Sequence, residues 1–131
     1  MVDGFFSMAF TGTAGTGFGV IALHNGALAG TDVAGASYDG SYSQDPETSV
    51  LDFNITMSAL AGLTPVQTGI ALAAPMTMPI RMSLAARDFT GNRPAVLRTP
   101  LGPVNILFRK IRDFPELNGD APAEATPLAA E

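Results

Sequence analysis

Residues 20–45 read VIALHNGALAGTDVAGASYDGSYSQD, and this stretch combines tight turns with short apolar runs. Asn25-Gly26 lies between two apolar runs and predicts a type I′ hairpin turn, which needs positive φ at both central positions. Residues 30–32 predict a second reversal, and the alternation over 38–42 predicts a strand. Gly30 and Gly40 are expected where strands curve or backbones approach closely. Turns spaced this closely are typical of a meander of short antiparallel strands.

The rest of the chain continues this pattern. Residues 50–57 form the clearest candidate strand, with apolar side chains at every second position, and no segment has the 3.6-residue period of a helix. About eight short antiparallel strands predict a sandwich or a barrel, and we favour an eight-stranded up-and-down barrel because closure removes the sheet edges. Pro79 is expected at a strand start, an edge or a bulge. Further strands are predicted at 6–11, 18–23, 27–30, 36–42, 69–74, 78–84 and 104–112, and loops at 58–69 and 94–103.

Length and composition indicate one small globular domain. The chain has 131 residues, of which 47% are hydrophobic and 15% are charged, and it contains no Cys. We assign 1–112 to the barrel and 113–131 to an acidic tail rich in Pro and Ala. The first residues lack the basic segment of a signal peptide, and no apolar run is long enough for a membrane helix. We therefore expect a cytoplasmic protein without membrane insertion.

Charge is divided unevenly along the chain. No Lys or Arg precedes residue 81, all seven basic residues lie within 81–112, and the net charge of −5 belongs to the tail. The first interpretation is that acidic early strands pair with basic late strands. The second is that the late basic residues form an anion site. A neutral body with an acidic tail predicts no binding to nucleic acid, which requires neutralisation of phosphates.

The order of turns and strands in the first half resembles the GrlR-like family. These are small bacterial calycin-like barrels named for a negative regulator of type III secretion genes. The family's signals match, in order, Asp3-Gly4, the Gly-rich strand 17–23, Asn25-Gly26, Gly30-Thr31-Asp32 and Tyr38-Asp39-Gly40. The resemblance covers residues 3–57 well and the remainder only by strand pattern. It implies a calycin-like, lipocalin-like barrel, a regulatory function exerted by sequestering a partner protein, and a homodimer.

Two departures from the family concern the partner rather than the fold. Thr31 replaces the second Gly of the family's Gly-Gly-Asp turn. The founding regulator carries a dense acidic run in the loop after the aromatic-x-Gly strand, where it holds its transcription activator. Here that loop is 43–49 and contains only Asp45 and Glu47. These two residues are the candidate partner-binding residues.

The residues expected of an enzyme or a metal site are sparse. His24 is the single histidine and adjoins the predicted hairpin turn, where a histidine is typically solvated. No Cys cluster or His-x-x-x-His motif accompanies it, so we predict neither a metal site nor a cofactor. The Gly-rich stretch 12–19 leads into a strand rather than a helix, which argues against a phosphate loop. We expect a protein that is not an enzyme.

Apolar side chains gather on the inward faces of the predicted strands, and methionine is frequent among them. They either fill the core or line an adaptable cavity, since an eight-stranded barrel can hold one small ligand and Met adapts to its shape. An intracellular binder of a lipid or other apolar molecule is therefore the alternative to the regulatory barrel. The candidate ligand-binding residues are Phe6, Met8, Phe10, Phe53, Ile55, Met57, Met78 and Met82.

One apolar strand also bears on assembly. Residues 18–23 are apolar at positions that face both sides of the sheet. A strand of this kind in a small barrel needs a dry surface on its outer side as well. We expect a homodimer that buries part of this strand or of another strand with two apolar faces.

Overall fold

The computed structural model describes residues 1–115 and 121–129, and its regular elements are eight strands and one short helix. The elements in chain order are β1 Gly4–Gly12, β2 Gly15–His24, β3 Ala27–Asp32, β4 Ser37–Gln44, β5 Val50–Ala59, β6 Met76–Ala85, α1 Ala86–Thr90, β7 Ala95–Thr99 and β8 Gly102–Arg112.

The strands form one antiparallel sheet that curls into a nearly closed barrel. Its order is β6-β5-β4-β3-β2-β1-β8-β7, so every strand pairs with its sequence neighbours except that β6 does not pair with β7, and β1 also pairs with β8. The predicted all-β, eight-stranded up-and-down barrel is confirmed. The two outer strands of this order are β6 and β7, and we call the gap between them the seam. Pro79 lies on β6, an edge strand, which is one of the positions where a sheet tolerates a residue without an N–H.

The turn chemistry of residues 20–45 largely agrees with the sequence. Asn25 and Gly26 have φ values of 49° and 83°, as a type I′ turn requires. A Cβ on Gly40 would lie 2.2 Å from the carbonyl oxygen of Asn54. A Cβ on Gly30 would lie 2.6 Å from the carbonyl oxygen of Val20. Both glycines are therefore required by close approach of neighbouring strands.

The second reversal falls later than predicted. Residues 30–32 belong to β3, and the chain turns at 33–36. Asp32 organises this turn, since its Oδ1 accepts hydrogen bonds from the N–H groups of Ala34 and Ala36 at 3.0 and 3.1 Å. The aspartate therefore acts as the capping residue of the turn rather than as part of its tip.

Two loop and strand assignments in the second half were wrong. Residues 69–74 form no strand and belong to the loop 60–75. Within this loop the N–H of Leu72 donates to the carbonyl oxygen of Leu63, and the carbonyl oxygen of Leu72 accepts from the N–H of Gly62. Residues 95–99, predicted as loop, form β7 in a hairpin with β8. The number of strands stays at eight because one strand replaces the other.

The two ends of the barrel differ in how they are closed. One end, which we call the closed end, carries the β2–β3 turn, the β4–β5 loop and α1. Phe89 of α1 is buried there against three other rings, with centroid distances of 4.7 Å to Phe6, 5.4 Å to Phe53 and 4.6 Å to Phe108. The opposite end, which we call the open end, carries the β3–β4 turn, the loop 60–75 and the β7–β8 turn.

The predicted pairing of early acids with late bases was wrong for the residues that the structure describes. The ion pairs there join Asp3 to His24, Asp88 to Arg93 and Lys110 to Asp113. The register explains the difference, because Asp52 lies opposite Ser83 and accepts its hydroxyl hydrogen bond, while Arg81 lies opposite Asn54.

The start of the tail contacts the closed end. The ring of Phe114 lies 4.6 Å from that of Phe5 and 4.5 Å from that of His24, measured between centroids. Residues 121–129 are exposed and lie outside the strands and the helix. The remaining tail positions assigned from the sequence, 116–120 and 130–131, lie outside the described residues.

Candidate functional site: an apolar cavity in the barrel

The interior above the Phe89 cluster contains a cavity of about 170 Å³. It reaches from the ring of Phe108 to the open end of the barrel. No polar or charged side chain is buried in the described part of the chain, so the interior offers an almost purely apolar environment. An engineered apolar cavity of about 150 Å³ stays dry and binds benzene, which sets the scale for this one.

Six of the eight candidate ligand-binding residues line this cavity, namely Met8, Phe10, Ile55, Met57, Met78 and Met82. The alternation along each strand brings them together, since Met57 lies opposite Met78 and Ile55 lies opposite Ile80 across the β5–β6 ladder. The ring of Phe10 lies against the backbone of Gly17, where a Cβ would come within 2.2 Å of it. Glycine at position 17 therefore leaves room for an aromatic wall.

Phe6 and Phe53 are buried but do not line the cavity. They pack with Phe89 at the closed end, one layer below it. Sequence reasoning did not foresee α1, whose five residues are too few to show a helical period, and so it missed the ring that fills this layer.

Several cavity residues were not among the candidates. Val104, Ile106 and Phe108 line the cavity from β8, and Leu97 lines it from β7. Their spacing at every second position was visible in the predicted strand 104–112 and indicated one inward face, although Leu107 between Ile106 and Phe108 is apolar as well. Leu97 was missed because its segment was assigned to a loop.

A hydrogen-bonded pair lies at the rim of the open end. The Tyr38 hydroxyl donates to Asp32 Oδ2 at 2.7 Å, and both residues line the cavity. Burial, together with the carboxylate partner, raises the pKa of Tyr38 well above its ordinary value. The Tyr38 hydroxyl therefore stays protonated at neutral pH and acts as a hydrogen-bond donor. It bonds to Oδ2 of Asp32, the carboxylate oxygen that receives no hydrogen bond from the turn N–H groups.

The loop 60–75 covers the open end. The N–H of Ala14 donates to the carbonyl oxygen of Val66 at 2.8 Å, and Gln67 Nε2 donates to Thr99 Oγ1 at 3.2 Å. A Cβ on Gly12 would lie 2.4 Å from the Val66 carbonyl oxygen, so the loop lies directly on the β1–β2 hairpin. These contacts fix residues 63–67 over the cavity as part of its lining.

The seam gives the cavity a second boundary. A groove runs along it between residues 81–84 of β6 and 95–98 of β7. Met82, Leu97 and Ile106 line both the groove and the cavity, so only these side chains separate the two spaces. Arg81 and Arg98 are exposed on the outer lips of the groove.

The candidate partner-binding loop lies at the closed end, whereas the cavity extends towards the open end. Asp45 Oδ1 accepts hydrogen bonds from the N–H groups of Glu47 and Thr48 at 2.8 and 3.2 Å. Asp45 therefore shapes this turn, and Glu47 projects as an exposed acid. His24 is engaged by Asp3 at 2.8 Å and by Asn25 at 3.2 Å.

The outer face of β2 is apolar, as the two-sided pattern of 18–23 indicated. Phe18 and Val20 are 55% and 43% exposed, while Ile21 and Leu23 are buried inside the barrel. Ala9 lies opposite Phe18, and Leu107 of β8 lies opposite Ala9, which extends the apolar surface across three strands.

No family model, curated protein or solved structure matches the chain. The fold and the cavity define an antiparallel up-and-down β-barrel with an apolar interior. The resemblance to the GrlR-like family stays a prediction. Within the described residues no helix has the length and apolar character needed to cross a membrane, and no three His, Cys, Asp or Glu side chains are grouped as metal ligands would be.

Proposed function

We propose that this protein is a non-catalytic binding barrel that holds a small apolar molecule in its interior and acts in the cytoplasm. The observation that carries the proposal is the cavity of about 170 Å³ within a core that contains no buried polar or charged side chain among the described residues. The polar side chains of the lining lie at the open end, where Tyr38 bonds to Asp32 and Gln67 to Thr99, so water deeper in the space would lack hydrogen-bond partners, whereas an apolar molecule gains contacts there.

The composition of the lining supports a ligand that varies in shape. Four methionines, Met8, Met57, Met78 and Met82, contribute to it. Their unbranched side chains adjust to irregular volumes at little cost. The volume supports a ligand of about the size of benzene, or the end of a single hydrocarbon chain.

Thermal unfolding in the presence of toluene tests the proposal. A ligand that binds only the folded state at ten times its Kd stabilises the protein by about 1.4 kcal/mol. For a domain of this size we expect the Tm to rise by about 5 °C. Above the Kd the rise should continue with the logarithm of the toluene concentration, as expected for one site that exists only in the folded state.

Two variants make the test specific. Met78→Phe adds a ring to the cavity lining and should reduce the toluene shift, whereas Phe53→Leu alters the layer below it and should keep the shift at a lower starting Tm. A wild-type Tm that does not respond to toluene would contradict the proposal. An equal response in Met78→Phe would place the binding elsewhere.

The second candidate function is regulation by a homodimer that binds a partner protein, and the outer face of β2 supports the homodimer. Phe18 and Val20 are both exposed on this face, and Ala9 and Leu107 extend the apolar surface onto the neighbouring strands. The patch is therefore larger than a single exposed apolar side chain, which needs no partner. We propose that a second copy of the chain covers this face in a homodimer. A regulatory partner such as a transcription activator would then bind elsewhere on the dimer, and Glu47 at the closed end is the exposed acid of the candidate loop.

Light scattering at tens of micromolar tests the dimer. Wild type should have the mass of two chains, and Phe18→Ser combined with Val20→Thr should have the mass of one. Val96→Thr is the matched control, because Val96 is an exposed apolar residue on the different strand β7. A monomeric wild type would contradict the homodimer.

A further inference from the structure

Arg81 and Arg98 lie on the two sides of the seam groove, and apolar side chains on its floor also line the cavity. The inward-facing residues of the groove, among them Met82, Ala95 and Leu97, form its apolar floor, and the two guanidinium groups belong to outward-facing positions on its lips. Neither arginine forms an ion pair with a carboxylate of the described residues. A cationic rim above an apolar channel is complementary to a molecule with an anionic head and a hydrocarbon chain.

The sheet topology explains why the barrel wall is easiest to open at the seam. Neighbouring strands elsewhere in the barrel are joined by backbone ladders, whereas β6 and β7 are the two ends of the strand order. The connection between them passes through α1, whose Phe89 is anchored in the core. Side chains alone close the seam, and moving a side chain costs less than breaking a ladder of backbone hydrogen bonds. Met82, which is only partly buried, is the most adaptable of these side chains.

The open end is less suited to an anion. Asp32 lies in the cavity lining there, and a second negative charge beside its carboxylate would be repelled. Its oxygens already accept the hydrogen bonds of Ala34, Ala36 and Tyr38, so the carboxylate is held in place. The polar groups of Gln67 and Thr99 are likewise bonded to each other.

We propose that the seam binds a single-chain anionic amphiphile, with its head between Arg81 and Arg98 and its chain passing Met82 into the cavity. The inference rests on the proposed ligand-binding function and adds the chemical class of the ligand. Guanidinium groups pair with carboxylate oxygens in a fixed geometry, which favours a carboxylate over a neutral head. The cavity volume limits the buried part to one short chain, so a lipid with two acyl chains is too large.

Titration of the methionine ε-methyl resonances with octanoate and with 1-octanol tests this inference. The two probes share the chain and differ in charge at pH 7. Octanoate should bind wild type at least about fivefold more tightly than 1-octanol. In Arg81→Gln combined with Arg98→Gln, octanoate should lose that advantage, while the Kd for 1-octanol stays within about twofold. Added salt should weaken octanoate binding and leave 1-octanol binding unchanged.

The matched control is Arg109→Gln combined with Arg112→Gln, which removes the same charge from β8 away from the seam. An equal loss of octanoate affinity in this control would show a general charge effect and overturn the inference. In Asp32→Asn, a several-fold gain in octanoate affinity would move the head to the open end and overturn the inference too.

The two proposals fail in different ways. If neither probe shifts the cavity methionines, the ligand-binding function fails and the seam inference fails with it. If 1-octanol binds but octanoate binds no better, or the seam arginines make no difference, the cavity function stands and the anionic ligand is excluded.

Discussion

At the scale of single residues, the glycines record how closely the strands approach. Gly40 lies where a Cβ would stand 2.2 Å from the carbonyl oxygen of Asn54, in the neighbouring strand. Gly15, by contrast, has only one side-chain atom nearby, a methyl group of Val66 at 3.9 Å. The two positions therefore form a matched pair, because the methyl group of an alanine would clash with backbone at position 40 and would enter open space at position 15.

Gly40→Ala should destabilise the barrel by about 1–3 kcal/mol, because the added methyl forces the β4 and β5 backbones apart. Gly15→Ala should change the free energy of unfolding by less than about 0.5 kcal/mol. Chemical denaturation of both variants measures the difference. Equal effects at the two positions would contradict the close approach of β4 and β5.

Tyr38 makes stability depend on alkaline pH. Burial and the hydrogen bond to Asp32 raise its pKa in the folded state, whereas the unfolded chain keeps a value near 10. Above about pH 10 the unfolded state binds fewer protons than the folded state, so the free energy of unfolding falls as pH rises.

Comparing Tyr38→Phe with wild type between pH 8 and 11 isolates this effect. The variant is expected to be less stable at pH 8, where it lacks the hydrogen bond, and to lose less stability as the pH increases. Tyr42, whose pKa burial also raises, contributes to the slope in both proteins and cancels in the comparison. Parallel pH profiles would contradict the role given to Tyr38.

At the scale of elements, α1 and β6 have different tasks. Phe89 of α1 is 1% exposed and contacts three rings at the closed end, whereas Met82 of β6 is partly buried between the cavity and the seam. Phe89→Ala should therefore cost about 3–5 kcal/mol, the range for large core deletions. Met82→Ala should cost about 1–2 kcal/mol, because its side chain already borders empty space.

Urea unfolding of the two variants measures both values. A loss for Met82→Ala as large as that for Phe89→Ala would mean that Met82 fills a tightly packed core. The cavity would then be a minor packing defect rather than a binding site.

The tail should contribute little to stability beyond its first residues. Phe114 packs on Phe5 and His24, and residues 121–129 are exposed. Deleting 119–131 should leave the Tm within about 2 °C, whereas Phe114→Ala in the full chain should lower it. A fall of more than about 5 °C on deletion, equivalent to roughly 1 kcal/mol, would show that the tail docks on the barrel.

The sequence predicted the elements whose signals are local. Asn25-Gly26 and the alternation of 50–57 gave the hairpin and β5, because turn chemistry and a period of two depend only on near neighbours. The prediction gave a strand at 69–74 and a loop at 95–99, the reverse of the structure, because each segment is a short apolar run next to proline. Residues 95–99 form a strand because they pair with β8, and no local sequence pattern reveals which segment pairs with a given strand.

The candidate site was predictable to a similar extent. Inward-facing residues follow from alternation, so Met8, Met57 and Met78 could be foreseen in the cavity. Which layer each residue occupies depends on register and on Phe89, so Phe6 and Phe53 were placed one layer too high. The seam arginines were visible as a basic cluster, but only the order of strands brings Arg81 and Arg98 to one groove.

At the scale of the whole molecule, the candidate binding surfaces lie on different parts of the barrel. The closed end carries the aromatic layer and the acidic turn at 45–49, the open end carries the fixed loop 60–75, and the side wall carries both the seam and the apolar face of β2. A ligand in the interior and a protein on the outer wall would share only Phe18, which lies on the outer face of β2 and also borders the cavity near the open end.

The methionine ε-methyl spectrum of wild type during a toluene titration tests the central claim most directly. Met8, Met57, Met78 and Met82 line the cavity, whereas Met1 is exposed and Met76 lies outside the lining. The account predicts that the four cavity methyls shift together along one saturable isotherm, while Met1 and Met76 stay in place. Unchanged cavity methyls at saturating toluene, or shifts confined to Met1 and Met76, would contradict a ligand-binding interior.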